Sequence, residues 1–261
     1  MGVNEAMELL LGTSPRFPYR QVLEAWYDDP SIPRYEPNLI KDLGRVKTAK
    51  AAQSHVGGSL SAPSKMPGPS YSVDPKACHT GSKLRDVEGS VCSICYGQKK
   101  NSNYHRFPMV GKALCNRLQS LVDPLWVPSM IKLVRSQASD GWFRWHDVGD
   151  LQSLSHLFNI ICVVKATPNI QHWLPTKEVA LVRKMKDELG EFPPNLTVRL
   201  SRAMIGDVRP YPDFPSAHAL SGEEEIPPDL KVCPAPGQEG ECKDCRYCWD
   251  KNVKQVGYPR H

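Results

Sequence analysis

The residues best suited to chemistry are cysteines near the C-terminal end. Cys233 is followed by Cys242-x-x-Cys245-x-x-Cys248, which sets three thiols at successive two-residue gaps with a fourth a short way upstream. Iron–sulfur clusters are held by several thiolates gathered around a small volume, and this spacing suits them. A tetrahedral zinc ion is more often gripped by two separated CxxC pairs, a pattern these three cysteines match less well. A [4Fe–4S] cluster on Cys233, Cys242, Cys245 and Cys248 is therefore the leading expectation, with zinc as the alternative.

A second group consists of Cys78 followed by Cys92-x-x-Cys95-Tyr96. A lone CxxC serves as a redox dithiol or half a zinc knuckle as readily as a cluster loop, and buried thiols also act as small apolar residues. Cys78, 14 residues before Cys92, adds weight to metal binding. Three thiolates without a fourth would leave one iron open to substrate, water or a small ligand. The two groups could instead converge on one cluster, so one cluster or two is left open. Cys115, in KALCNRL, and Cys162, in IICVV, read as core residues.

The elements that must position these thiols follow from hydrophobic patterning. Trp142–Val148 reads as a strand, Leu151–Ala166 as a helix, Asn169–Leu174 as a strand, Lys177–Leu189 as a helix with Thr176 as its N-cap, and Asn195–Leu200 as a strand. Alternating strands and helices predict parallel βαβ units. The expected fold class is α/β, a partial or distorted (β/α) barrel with parallel strands. Helices are also expected over 4–11, 20–27, 111–122 and 124–137, and the Gly/Ser/Pro/Lys-rich stretch from Pro30 to Pro75 reads as a long irregular arm. The organisation predicted is an N-terminal arm over 1–75, a barrel-like core over 76–232 and a cysteine-rich segment over 233–261, integrated into one domain.

Parallel strands gather functional side chains where they end. Candidate ligand-binding residues at those ends are His146, Asp147, Gly149 and Asp150 after the first strand, Lys177 after the second, and Ser201 and Arg202 after the third. The carboxylates could grip an amine, a ribose hydroxyl or a cation, and Gly149 would allow close backbone approach. Asp150 serves equally well as a helix cap. Trp142, Trp145, Trp173 and Trp249 are expected in the core rather than stacked on a base.

Composition narrows the classes. The charge of +5 is mild and scattered, which permits a nucleotide or nucleic-acid partner without arguing for one. The start lacks a basic n-region, and the apolar run Ile160–Val164 is far too short for a bilayer. No membrane role and a reducing, cytoplasmic location are the expectation, in which nine cysteines would not pair as disulfides. No phosphate-loop, dinucleotide, nucleophile-elbow or HExxH motif occurs.

The runs CSICYG (92–97), WHDVGDL (145–151), HWLPTKE (172–178), NLTVRLS (195–201) and CPAPGQEGECKDCRYCW (233–249) together resemble the phage-encoded "gene product 88" family over about residues 38–250. That resemblance implies a bacteriophage or prophage gene, and hence a host cytoplasm, but no reaction. The CxxCY loop also resembles that of radical S-adenosylmethionine enzymes, in which three cysteines leave an iron free for the cofactor's methionyl group and a glycine-rich strand end holds its amine. There the three cysteines sit in a compact loop, whereas Cys78 stands well apart from Cys92.

Three functions follow as expectations. The first is a redox or electron-transfer protein with a partner to match. The second is a radical-type enzyme using S-adenosylmethionine or another small-molecule ligand. The third is a zinc-stapled module binding a nucleotide or nucleic acid.

Overall fold

The computed structural model describes residues 32–35, 39–98 and 107–259. Seven strands form one open sheet: β1 (Ser70–Tyr71), β2 (Trp142–Trp145), β3 (Gln171–Thr176), β4 (Leu196–Ser201), β5 (Ser216–Leu220), β6 (Leu230–Val232) and β7 (Gln255–Pro259). Their order is β1-β2-β3-β4-β5-β7-β6, and every neighbouring pair is parallel. Among the described residues the α-helices are α1 (Leu39–Arg45), α2 (Ala49–His55), α3 (His79–Leu84), α4 (Pro108–Ser120), α5 (Trp126–Gln137), α6 (Leu154–Ala166) and α7 (Val179–Leu189). The protein is thus of the α/β class, with a parallel sheet that does not close.

Side chains alternate across a strand, so each strand faces two environments. Phe143, Trp145, Leu174, Val198 and Leu200 join the main core with Met130, Ile131, Leu157, Ile160 and Val164 of the helices. Trp173 and Val256 face a smaller cluster shared with Cys248 and Trp249, against which Trp142 and Tyr258 also pack. A parallel sheet is normally covered on both faces. Here helices cover one, and the cysteine-rich segment covers part of the other.

The short edge strand β1 is held by Tyr71, whose buried hydroxyl accepts from the Trp126 indole at 3.1 Å and lies 3.0 Å from the Val56 carbonyl. The stretch read as an irregular arm therefore holds two helices and a strand within its described part, because Val46, Ala52 and Val56 are buried against the core. The expected helices at 4–11 and 20–27 lie outside the described residues. Sequence also missed β5, β6 and β7, which are short and carry few of the large apolar residues that mark β2–β4.

Element boundaries shifted for identifiable reasons. Ser153, not Asp150, caps α6 by accepting from the His156 amide at 3.0 Å. Thr176 ends β3 rather than capping a helix from 177: α7 begins at Val179, and Thr176 Oγ1 accepts from the Glu178 amide at 3.0 Å. Cys162 packs against the core as expected, while Cys115 is half-buried, with Gln119 Nε2 3.8 Å from its sulfur.

Burial holds His156 in its neutral form, its pKa lowered to about 3, with its ring edge-on to Trp126. An unfolded imidazole binds a proton below about 6.5, and the folded one does not, so its contribution to stability is present above that pH and drains as the pH falls toward 3. The stability difference between the protein and a His156→Asn variant, measured by chemical denaturation, should be about 2 kcal/mol larger at pH 7.5 than at pH 5. A difference that does not change with pH would mean that this imidazole titrates in the fold as it does in the unfolded chain.

Candidate metal centre

Because all strands run the same way, their C-terminal ends share one edge, the usual ligand-binding side of an open parallel sheet. Cys78 lies there, seven residues after β1 ends, at the close of a 3-10 turn over Pro75–Ala77. The chain continues as α3 and then runs across to the loop after β4. Val91 N donates to the Ala203 carbonyl at 2.8 Å, Ile205 N donates to the Gly89 carbonyl at 2.9 Å, and Ser90 bridges Met204. It then returns to bring Cys92 and Cys95 back beside Cys78. Gln98 Nε2 donates to the Pro75 carbonyl at 3.1 Å, and Gly97 is so close to Val148 that a Cβ would lie 2.4 Å from its Cγ2. The wide Cys78–Cys92 gap is therefore a strap over the strand ends that begins and finishes at one place.

At Gly81 a Cβ would stand 2.8 Å from Cys78 Cβ, 3.7 Å from Cys92 Sγ and 3.8 Å from Cys78 Sγ. Two thiols thus border one small space that only a glycine leaves clear. Burial pushes the Cys78 thiol well up, and the charges of Asp150, Cys95, Cys92 and Glu178 add to it. Burial also raises Cys92, and nearby Lys177 opposes this.

Beneath the thiols, two buried carboxylates tie strand ends together. Asp150 accepts from Thr176 Oγ1 at 2.5 Å, Leu151 N at 2.8 Å and Lys177 N at 2.9 Å. Glu178 accepts from Thr80 N and Thr80 Oγ1, both at 2.8 Å, and lies 3.9 Å from His79 Nδ1. Burial raises the pKa of both acids. Glu178 was missed from sequence, although a carboxylate directly after Thr176-Lys177 at a strand end is a readable signal. Asp147 Oδ1 is buried and has no hydrogen-bond partner among the described residues, which leaves it an acceptor to offer.

The other sequence candidates divide. Gly149 adopts φ +82° and approaches Val73 so closely that a Cβ would lie 2.5 Å from its carbonyl oxygen; its closeness is to backbone. His146, at φ +53°, sets its buried ring 5.4 Å from that of His156, on a helix. Arg202 is engaged by its own loop, donating to the Arg209 and Pro210 carbonyls at 2.6 Å and covering the Tyr211 ring. Ser201 ends β4, half-buried.

Cys233, Cys242, Cys245 and Cys248 form a separate group. Cys233 follows β6 and donates its amide to the Gly257 carbonyl at 2.8 Å. Burial raises Cys242, with Cys233 and Cys245 adding to it; Cys233 likewise feels Cys245, and Cys248 feels Cys233. Cys248 Sγ stands 3.2 Å from Tyr258 Oη. All nine cysteines are free thiols. Among the described residues no three His, Cys, Asp or Glu side chains are grouped as a single metal ion requires. One tetrahedral ion with sulfur at about 2.3 Å needs thiolates nearly in mutual contact.

The segment is seated by Trp249, in the core as expected, and by Arg199, which sequence reasoning passed over. Trp249 Nε1 donates to the Phe143 carbonyl at 2.9 Å, and its ring meets those of Trp142 and Trp173 edge-on. Arg199 Nη2 donates to the carbonyls of Tyr247 at 2.9 Å and Asp250 at 3.1 Å. An arginine at the centre of NLTVRLS was the available signal.

Fold and thiol groups together define an α/β protein with two cysteine-rich sites on an open parallel sheet. The family model Gene product 88 matches residues 38–251, and the chain belongs to that family. Comparison with curated proteins and with solved structures returned no match. Among the described residues no helix is long and apolar enough to cross a membrane.

A Gly81→Val variant should fill the space beside Cys78 and Cys92. Alkylation of those two thiols by iodoacetamide, followed by mass spectrometry, should slow several-fold while Cys242 and Cys245 react as before. An unchanged rate at Cys92 would show that Gly81 does not guard its sulfur.

Proposed function

We propose that the chain is an iron–sulfur protein with two centres, and that the one on Cys78, Cys92 and Cys95 is an open, ligand-binding centre of radical S-adenosylmethionine type. The observation that carries this reading is the return of the cysteine strap to its starting point, which puts Cys78 and Cys92 beside Gly81 at the ligand-binding edge, with Cys95 near enough to act on Cys78. Three thiolates leave one iron of a [4Fe–4S] cluster free, and such a cluster supplies a single low-potential electron to a ligand bound there.

The chain's own part is to hold and orient. Asp150 and Glu178 lock the ends of β2 and β3 and the start of α3 into one rigid floor. Asp147, with an unmet acceptor atom, is the group at this edge able to take an amine or hydroxyl donor. Lys177 contributes positive charge beside Cys92. The strap screens the strand ends from the direction of β4.

Electron transfer belongs in this reading to the second centre. Cys233, Cys242, Cys245 and Cys248 supply four thiols, enough to leave no iron open, which suits a carrier better than a catalyst. A zinc ion on the same thiols is the second reading, because two-residue cysteine gaps also occur in zinc sites.

Anaerobic purification should give a brown protein with iron and sulfide in roughly equal amounts and about eight irons per chain if both centres fill. Reduction with dithionite and addition of S-adenosylmethionine should then change the electron paramagnetic resonance spectrum and release methionine, both lost in a Cys92→Ala variant. A colourless protein carrying stoichiometric zinc would overturn the iron–sulfur reading. Iron without any response to S-adenosylmethionine would remove the radical-type reading and leave electron transfer.

A further inference from the structure

Arg199 is 0% exposed, a guanidinium enclosed in the sheet. Its Nη atoms donate to four backbone carbonyls: Ser216 at 3.2 Å, Val253 at 3.0 Å, Tyr247 at 2.9 Å and Asp250 at 3.1 Å. Its Nε has no partner among the described residues. Hydrogen bonds to neutral carbonyls orient the group without cancelling its charge. Among the described residues no carboxylate comes within ion-pair distance of it. An isolated buried cation is among the most costly things a fold can hold.

The groups around Arg199 that can carry negative charge are Tyr258, Cys248 and, further along the same segment, Asp250. Asp250 turns a carboxylate oxygen to the Asn252 amide at 2.8 Å. Arg144, two strands away on the same side, repeats the pattern. Its guanidinium lies 4.4 Å over the Trp173 ring, Nη1 is 3.6 Å from Met66 Sδ, and it too lacks a carboxylate partner among the described residues. It acts on Cys242 and Cys248. Two cations without carboxylate partners among the described residues thus meet at Cys248, and Arg144 also reaches Cys242.

We infer that Arg199, seconded by Arg144, is the built-in counter-charge of the four-cysteine centre, a positioning residue that sets the potential at which that centre accepts an electron. The inference rests on the reading of that centre as iron–sulfur. A cluster on four thiolates is anionic and gains one further negative charge on reduction. A fixed positive charge in a low-dielectric surround favours the reduced form and raises the potential, as net charge and hydrogen bonds to sulfur are known to do. Lysine would be the poorer choice here, because guanidinium keeps its proton when buried and can serve several carbonyls at once.

The test uses the full chain with Cys78, Cys92 and Cys95 replaced by alanine, so that only the C-terminal cluster is read. Its midpoint is followed by electron paramagnetic resonance during anaerobic titration with dithionite as the one-electron reductant. Arg199→Gln should shift the midpoint to clearly more negative potential, Arg144→Gln should shift it less in the same direction, and Arg199→Lys should stay near the parent. An Arg199→Gln protein that keeps its iron and its midpoint would overturn the inference. If Arg199→Gln loses the cluster, Arg199→Lys decides: retained iron supports a role for charge, and equal loss reduces Arg199 to a scaffold and overturns it. Absence of iron in the parent would instead sink the underlying iron–sulfur reading, a result separable from all of these.

Discussion

The constraint on which the rest depends is that seven strands all run parallel in a sheet that stays open. Parallel pairing sends every strand end to the same edge, and an open sheet leaves two faces to be covered. Helices α5–α7 take one face through Trp126, Ile131, Leu157 and Val182. The other is met by the segment that carries four cysteines, pressed down by Trp249 and held by Arg199. The covering of a sheet face and the gathering of thiols are one act of packing.

At the shared edge the same economy holds. Asp150 and Glu178 are buried acids whose oxygens are spent on backbone amides and hydroxyls of neighbouring elements, so they tie β2, β3 and α3 into a floor. Such buried polar groups are tolerated because they are satisfied, and satisfied networks fix geometry more sharply than apolar contacts do. The strap above them is anchored at both ends, by Pro75 near its start and by Ala203 and Ile205 at its far reach. That anchoring turns a long sequence gap into a short distance.

The cationic residues of the covered face distinguish this protein from a plain thiol-lined scaffold. Arg144 and Arg199 sit on strands at positions where alternation alone would favour apolar side chains, and the ionisable groups around Arg199 are Tyr258, Cys248 and Asp250.

Much was legible in the sequence. Strong alternation and length revealed β2, β3, β4, α6 and α7, and cysteine spacing revealed both thiol groups, because these signals are local. Only three dimensions show that the strap returns Cys92 to Cys78, and that β7 inserts between β5 and β6 at the end of the segment that brings Cys248 to Arg199. Asp150 looked as fit to cap a helix as to hold a ligand, and instead it bonds across to Thr176, at the end of the next strand, and to Lys177 just after it. Arg202 looked free to reach a ligand and is held by carbonyls seven and eight residues away. Residue type and spacing determine which groups can ligate. Which of them meet is decided by strand order and by long-range hydrogen bonds, whose partners lie too far apart in the chain for any local pattern to record.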